Sequence, residues 1–204
     1  KGAQAEQIQQ VSVELSPAFI AGVKATFPGA QITFDRFHIV KLLNQTMDAV
    51  RKAERKEHDA LKGHQYTFLK NPQSLSETQQ QQLTDMIRLY PTLGEAYRLK
   101  ILFNDLWNMP DKSSAHAFLT QWCEEAQQAG IPAFQAFANT VTSYWSGIIH
   151  FVESRLTNGI LEGINNKIQL AKRRARGCRN INNFINMIYF LCRKLQFTYP
   201  RYFT

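Results

Sequence analysis

Hydrophobic and polar residues alternate loosely over residues 8–15, Ile-Gln-Gln-Val-Ser-Val-Glu-Leu, with β-branched side chains among them. The pattern predicts a strand ending near Glu14. Ser16 followed by Pro17 has the chemistry of a helix N-cap and first helical position, so a helix is expected over 17–26. Phe27-Pro28-Gly29-Ala30 reads as a turn, and Gln-Ile-Thr-Phe-Asp over 31–35 as a second short strand. From 37 to 56, Ile39, Leu42, Leu43, Met47 and Val50 recur at helical spacing on one face. Strand, helix, strand, helix is the grammar of an α/β layer with parallel strands.

The β signal then fades. Residues 60–75 read as loop with one short element. Helical periodicity predicts four helices over 76–89, 92–108, 113–129 and 131–151, punctuated by Pro91, Pro110 and Gly130. Their Leu, Phe and Trp stripes read as core. A further helix is expected over 157–176, with Thr157 or Asn158 as its cap and Gly177 as its stop, and a last one over 181–196. The expected organisation is an α/β segment over 1–60, an inserted all-helical block over 61–152, and closing basic helices over 153–204. The class is α/β, dominated by helix.

Charge sharpens this picture. Residues 1–154 carry 14 Lys or Arg against 15 Asp or Glu, whereas residues 155–204 carry ten against a single acid, Glu162. The formal net charge of +8 therefore resides in the last quarter, and a polyanion, nucleic acid first, is the expected partner. No run of 18 apolar residues predicts a membrane span, and no membrane partner is expected. Cys123, Cys178 and Cys192 are widely spaced with no CxxC pair, which argues against a zinc ribbon or disulfide framework and fits a reducing compartment. The opening residues, Lys-Gly-Ala-Gln-Ala-Glu-Gln, have neither an initiating Met nor an apolar signal core, so the chain is expected to be part of a longer protein.

Two places carry candidate chemistry. On a helix over 157–176, Asn158, Glu162, Asn165, Gln169, Lys172 and Arg176 share one face, and Ile160, Ile164, Ile168, Ala171 and Ala175 the opposite one. Glu162 could pair with a nearby cation such as Arg155, but the position one turn on is Asn166, so no helical i, i+4 partner exists. The alternative is a metal-binding carboxylate beside phosphate-gripping amides and cations. The second place is Asp35-Arg-Phe-His38, at the end of the second strand, with Glu14 placed alike at the end of the first. Sites in open α/β sheets form at such carboxyl ends, and two-metal phosphoryl transfer needs clustered carboxylates. Asp35 is equally suited to cap the following helix, His38 to sit half-buried, and Glu14 to be an edge residue.

These runs resemble a known family. Val-Ser-Val-Glu-Leu-Ser-Pro-Ala-Phe-Ile, Phe-Pro-Gly-Ala-Gln-Ile-Thr-Phe-Asp-Arg-Phe-His-Ile-Val-Lys, Ala96-Tyr-Arg-Leu-Lys100, and Arg155-Leu-Thr-Asn-Gly-Ile-Leu-Glu-Gly-Ile-Asn-Asn-Lys-Ile with Arg173-Arg-Ala-Arg-Gly-Cys-Arg-Asn are similar, in order, to DDE transposases of the ISL-three insertion-sequence family. The resemblance implies an RNase H-like fold with a helical insertion, Glu162 as terminal acid of the triad, Glu14 at the place of the second acid, and Asp35 and His38 as a supporting signature. It implies Mg²⁺ or Mn²⁺ held by Glu162 and Glu14. Transposon-end and target DNA would be gripped by Asn158, Asn165, Asn166, Lys167, Lys172, Arg173, Arg174, Arg176 and Arg179. A homo-oligomer on DNA and a bacterial cytoplasmic, nucleoid-associated location follow. Two departures stand out. The family usually has Asp where this chain has Glu14, and its first catalytic Asp lies on a strand that this sequence does not contain. The chain alone is therefore expected to be inactive. A DNA-binding or assembly module without chemistry is the alternative.

Overall fold

The computed structural model describes residues 7–157, 159–175, 177 and 180–192. The chain divides into two compact units, Lys1–Leu156 and Thr157–Thr204.

The first unit opens with β1 (Gln10–Val13), α1 (Pro17–Thr26) and β2 (Gln31–Phe34), and the two strands pair in parallel with Val13 opposite Phe34. Both strands stop one residue short of an acid, Glu14 or Asp35. Pro17 starts α1, but the Ser16 hydroxyl makes no capping bond, and the extended backbone at Ser16 alone sets the entry. α2 (Arg36–Arg55) buries Ile39, Leu43, Met47 and Val50 on its apolar face, together with the polar Thr46, Asp48 and Arg51.

The predicted loop over 60–75 contains two short 3-10 turns and α3 (Gln65–Leu69). α4 (Glu77–Leu89) begins at a reciprocal capping box between Ser76 and Gln79, which satisfies two otherwise orphaned amides. α5 (Pro91–Phe103) ends earlier than its periodicity suggests and continues as a 3-10 turn over Asn104–Asn108. α6 (Lys112–Gln128) is capped by Asp111. The single helix expected over 131–151 is two helices, α7 (Pro132–Ser143) and α8 (Trp145–Ser154), broken at Tyr144.

An edge-to-face aromatic cluster of Phe103, Trp122 and Phe137, with ring centroids 4.8–5.7 Å apart, knits α5, α6 and α7 together. α5 and α7 pack on the apolar face of α2, and α8 packs on β2. That last approach is close. Gly147 faces the Phe34 ring so tightly that a Cβ would overlap it, and the Ile32 carbonyl lies 3.3 Å from the same point. His150 Nδ1 sits 3.2 Å from that carbonyl. The bend at Tyr144, which no Gly or Pro announces, lets α8 lie along the strand, with the Tyr144 ring edge-on to Phe34 at 5.1 Å.

The second unit contains α9 (Gly159–Arg174) and α10 (Ile181–Cys192). Gly177 at φ 93° accepts the left-handed turn after α9, and Asn180 caps α10 through the amides of Asn182 and Asn183. Lys172 Nζ lies 5.9 Å over the Phe184 ring and ties the two helices. The architecture is thus helix-dominated, with one two-stranded parallel sheet among the described residues. No described helix is long and apolar enough to cross a membrane.

Candidate functional site

Parallel register brings the two strand ends side by side. Glu14, just past β1, meets His38, in the first turn of α2, with 3.1 Å between Oε1 and Nε2. The carboxylate accepts, so Nε2 carries the proton. The other ring nitrogen, Nδ1, is buried and meets no hydrogen-bonding partner among the described residues. Phe37 stands edge-on to the imidazole at 5.5 Å and limits its rotation. The histidine therefore orients an exposed carboxylate at the mouth of a cleft of about 430 Å³.

The floor and walls of that cleft include Lys41 and Gln45 from the next turns of α2, and Thr140 and Tyr144 from the end of α7. These residues were not singled out from the sequence. Lys41 and Gln45 could have been found, because they follow His38 at steps of three and four on one helix face. Thr140 and Tyr144 come from a hundred residues away and carry no local signal.

Asp35 is nearby in sequence but has another task. It is almost wholly buried, and its Oδ1 accepts from the Phe37 amide at 2.8 Å, closing the N-terminus of α2. Magnesium takes oxygen ligands, typically one or two carboxylates completed by water and phosphate. Glu14 fits as one such ligand, being exposed and acceptor-only. Asp35 does not, because its carboxylate is committed to the helix start. No group of three or more His, Cys, Asp or Glu able to hold a metal ion occurs among the described residues.

Glu162 lies in the first turn of α9, in the second unit, and is half-buried. Asn165, Asn166, Lys167, Lys172, Arg173 and Arg174 of the same helix are exposed, a polar and cationic surface of the kind that grips phosphates. Asn158, Arg176 and Arg179 lie outside the described residues, as does Cys178. Thr157 does cap, its hydroxyl accepting from the Gly159 amide at 3.2 Å. Arg155, the expected partner of Glu162 in the alternative reading, is engaged otherwise: its guanidinium donates to the carbonyls of Trp107 and Met109. Its backbone is left-handed at φ 52° and ends α8.

Comparison with known proteins identifies relatives. A transposase family of the ISL3 type matches residues 1–188. The transposase for insertion sequence element IS1001 of Bordetella parapertussis is 30% identical over 188 residues, covering 88% of this chain and 46% of that protein. The transposase for insertion sequence element IS1557 of Mycobacterium tuberculosis is 26% identical over 204 residues, covering 86% and 46%. The chain thus spans about half the length of the curated relatives it matches. No solved structure matches it.

Proposed function

The chain belongs to the ISL3 family of DDE transposases, and from that premise we propose that it supplies the second half of a catalytic region that, in the intact protein, cleaves DNA strands and joins them to a target. The observation that carries this reading is the Glu14–His38 pair, an acid at the carboxyl end of a parallel strand, held at a cleft mouth by a histidine from the next helix.

In this reading the βαβ segment over 1–60 belongs to an RNase H-like domain, residues 61–152 are an insertion, and residues 153–204 return to the domain. Glu14 and Glu162 are the second and third acids. Mg²⁺ or Mn²⁺ bound by them would stabilise charge on the attacking and leaving oxygens of an in-line displacement at phosphorus. The chain's own residues do the positioning. His38 fixes the Glu14 carboxylate, Asp35 fixes the helix that carries His38, and the exposed face of α9 holds phosphates at positions Asn165 to Arg174. Because that grip is ionic and largely independent of sequence, it weakens steeply with salt. Assembly on DNA as a homo-oligomer belongs to the same proposal.

The test is calorimetric titration of Mn²⁺ and Mg²⁺ into the chain and into Glu14→Gln and Glu162→Gln, followed by plasmid nicking. Each variant is expected to weaken metal binding at least tenfold, and the chain alone to nick nothing, since the triad implied by the resemblance includes a first Asp that this sequence does not contain. Unchanged binding in both variants would sink the assignment of these acids. Binding of DNA without metal by all forms would favour a non-catalytic DNA-binding module, a reading that the charge concentrated after residue 155 supports.

A further inference from the structure

Unit one is electrically polarised in a way that its near-zero total conceals. Residues 36–70 carry eight Lys or Arg against four Asp or Glu, whereas residues 71–154 carry four against eight. The positive part is built on α2. At 100° per residue, His38, Gln45, Lys52, Arg55 and Lys56 all fall within about 60° of Lys41, opposite the buried Leu43, Met47 and Val50. Glu54 falls on the far side. The one acid of α2 on this face, Asp48, is neutralised within the protein by Arg51 at 2.7 Å and Lys52 at 2.9 Å; Asp59, beyond the helix, borders its far end. Lys41, Arg55 and Lys56 are exposed and form no ion pair with another described residue.

Three hollows also lie along this face. The Glu14–His38 cleft shares Lys41 and Gln45 with a second hollow of about 290 Å³ between α2 and α3, and a third of about 500 Å³ is lined by Lys52, Arg55, Lys56 and Asp59. Phe37 lines the second hollow and is 56% exposed, an unusual place for a bare phenyl ring. From Lys41 to Lys56 the helix rises about 22 Å, roughly the length of six stacked nucleotides of one strand.

We propose that the outer face of α2, from His38 to Lys56, is a track for the sugar–phosphate backbone of a single DNA strand entering the Glu14–His38 cleft, with Phe37 as a stacking surface for a base. The inference rests on the DNA-directed function proposed above, but it assigns a DNA contact to the first unit, whereas every cation implicated by the resemblance lies after residue 155. Charge complementarity selects the occupant: three unpaired cations and an amide in line, with an aromatic ring beside them, suit a polyanion with stacking faces.

The experiment is fluorescence anisotropy with a labelled 20-nucleotide single strand over a salt series. The chain is compared with a Lys41→Ala/Arg55→Ala/Lys56→Ala variant, a Lys167→Ala/Lys172→Ala/Arg173→Ala variant, and Phe37→Ala. The α2 variant is expected to bind at least roughly tenfold more weakly, and to lower the slope of log affinity against log salt by about 2, near 0.7 per lost contact. Phe37→Ala is expected to weaken binding roughly tenfold with the slope unchanged, because stacking releases no counterions. Should the triple variant fold poorly by circular dichroism, Arg55→Gln and Lys56→Gln singly are each expected to lower the slope by about 0.7. If only the α9 variant loses affinity, the track is wrong and the DNA-directed function stands. If the unaltered chain binds no strand, both fall. If the α2 variant abolishes only self-association in sedimentation, the face holds the acidic helices of a second copy, and the track is again wrong.

Discussion

Lys100 is the most exacting test of the packing. It lies in the last turn of α5, fully buried, and its Nζ donates to the carbonyls of Phe68 at 2.9 Å, Leu69 at 2.8 Å and Lys70 at 3.4 Å, closing the C-terminal end of α3. The Tyr97 ring lies 5.5 Å from it. Burial pushes the ammonium down to about 8 from its ordinary 10.5. The folded state thus releases a proton that the unfolded state still holds, and stability rises with pH between those two values. It is flat below about 7.5, where both states are protonated. Integrated from pH 7.5 to 9.5, the gain is about 2 kcal/mol. Replacement by Met keeps the apolar stem and removes the titration. Urea unfolding of the chain and of Lys100→Met at both pH values is the assay, and the difference between the two proteins is expected to grow by about 2 kcal/mol at pH 9.5. Cys123, whose thiol burial pushes up, works in the opposite direction but cancels because both proteins contain it. A difference that stays constant would refute the reasoning: three carbonyl acceptors would then be holding the ammonium charged throughout.

Two further outcomes are expected. Gly147→Ala gains about 1 kcal/mol of helix propensity but drives a methyl into the Phe34 ring, for a net loss of about 1 to 2 kcal/mol and a melting temperature lower by roughly 4 °C; a rise instead would mean that α8 does not lie so close to β2. In Asp48, burial alone would raise the carboxyl, but hydrogen bonds from Lys52 and Arg51 outweigh it and hold it below its ordinary value. Its stability contribution is therefore present above about pH 4 and disappears as pH falls through the lowered value. Asp48→Asn strands the buried Arg51 and is expected to cost about 3 kcal/mol at neutral pH, with the deficit narrowing toward pH 3 in urea melts; a deficit independent of pH would show that charge is not the cause.

Local features were legible in the sequence where local chemistry decided them. Asp35 before α2, Pro91 at the start of α5 and Gly177 after α9 each mark an element end in the structure. The break at Tyr144 was not legible, because it is imposed by the fit of α8 on β2, two elements more than a hundred residues apart. Lys100 gave no sign of burial, since it stands among apolar residues whose spacing already explained the helix. Of the candidate site, Glu14, Asp35 and His38 were each visible at an element boundary. The pairing of Glu14 with His38 depends on the register that sets Val13 beside Phe34, which no local pattern encodes. The stripe along α2 escaped notice because the dense charge after residue 155 dominated the reading, while over residues 36–70 four balancing acids diluted it.

Gly147 and His150 decide how the small sheet can grow. In the parallel pairing, residues 31, 33 and 35 turn their amides toward β1, so the Ile32 carbonyl faces outward, and there it meets His150 with Gly147 pressed close behind. An incoming strand cannot occupy that side without displacing a helix. Extension is therefore one-directional, beside β1, and the α8 rail prevents β2 from being a template for edge-to-edge aggregation.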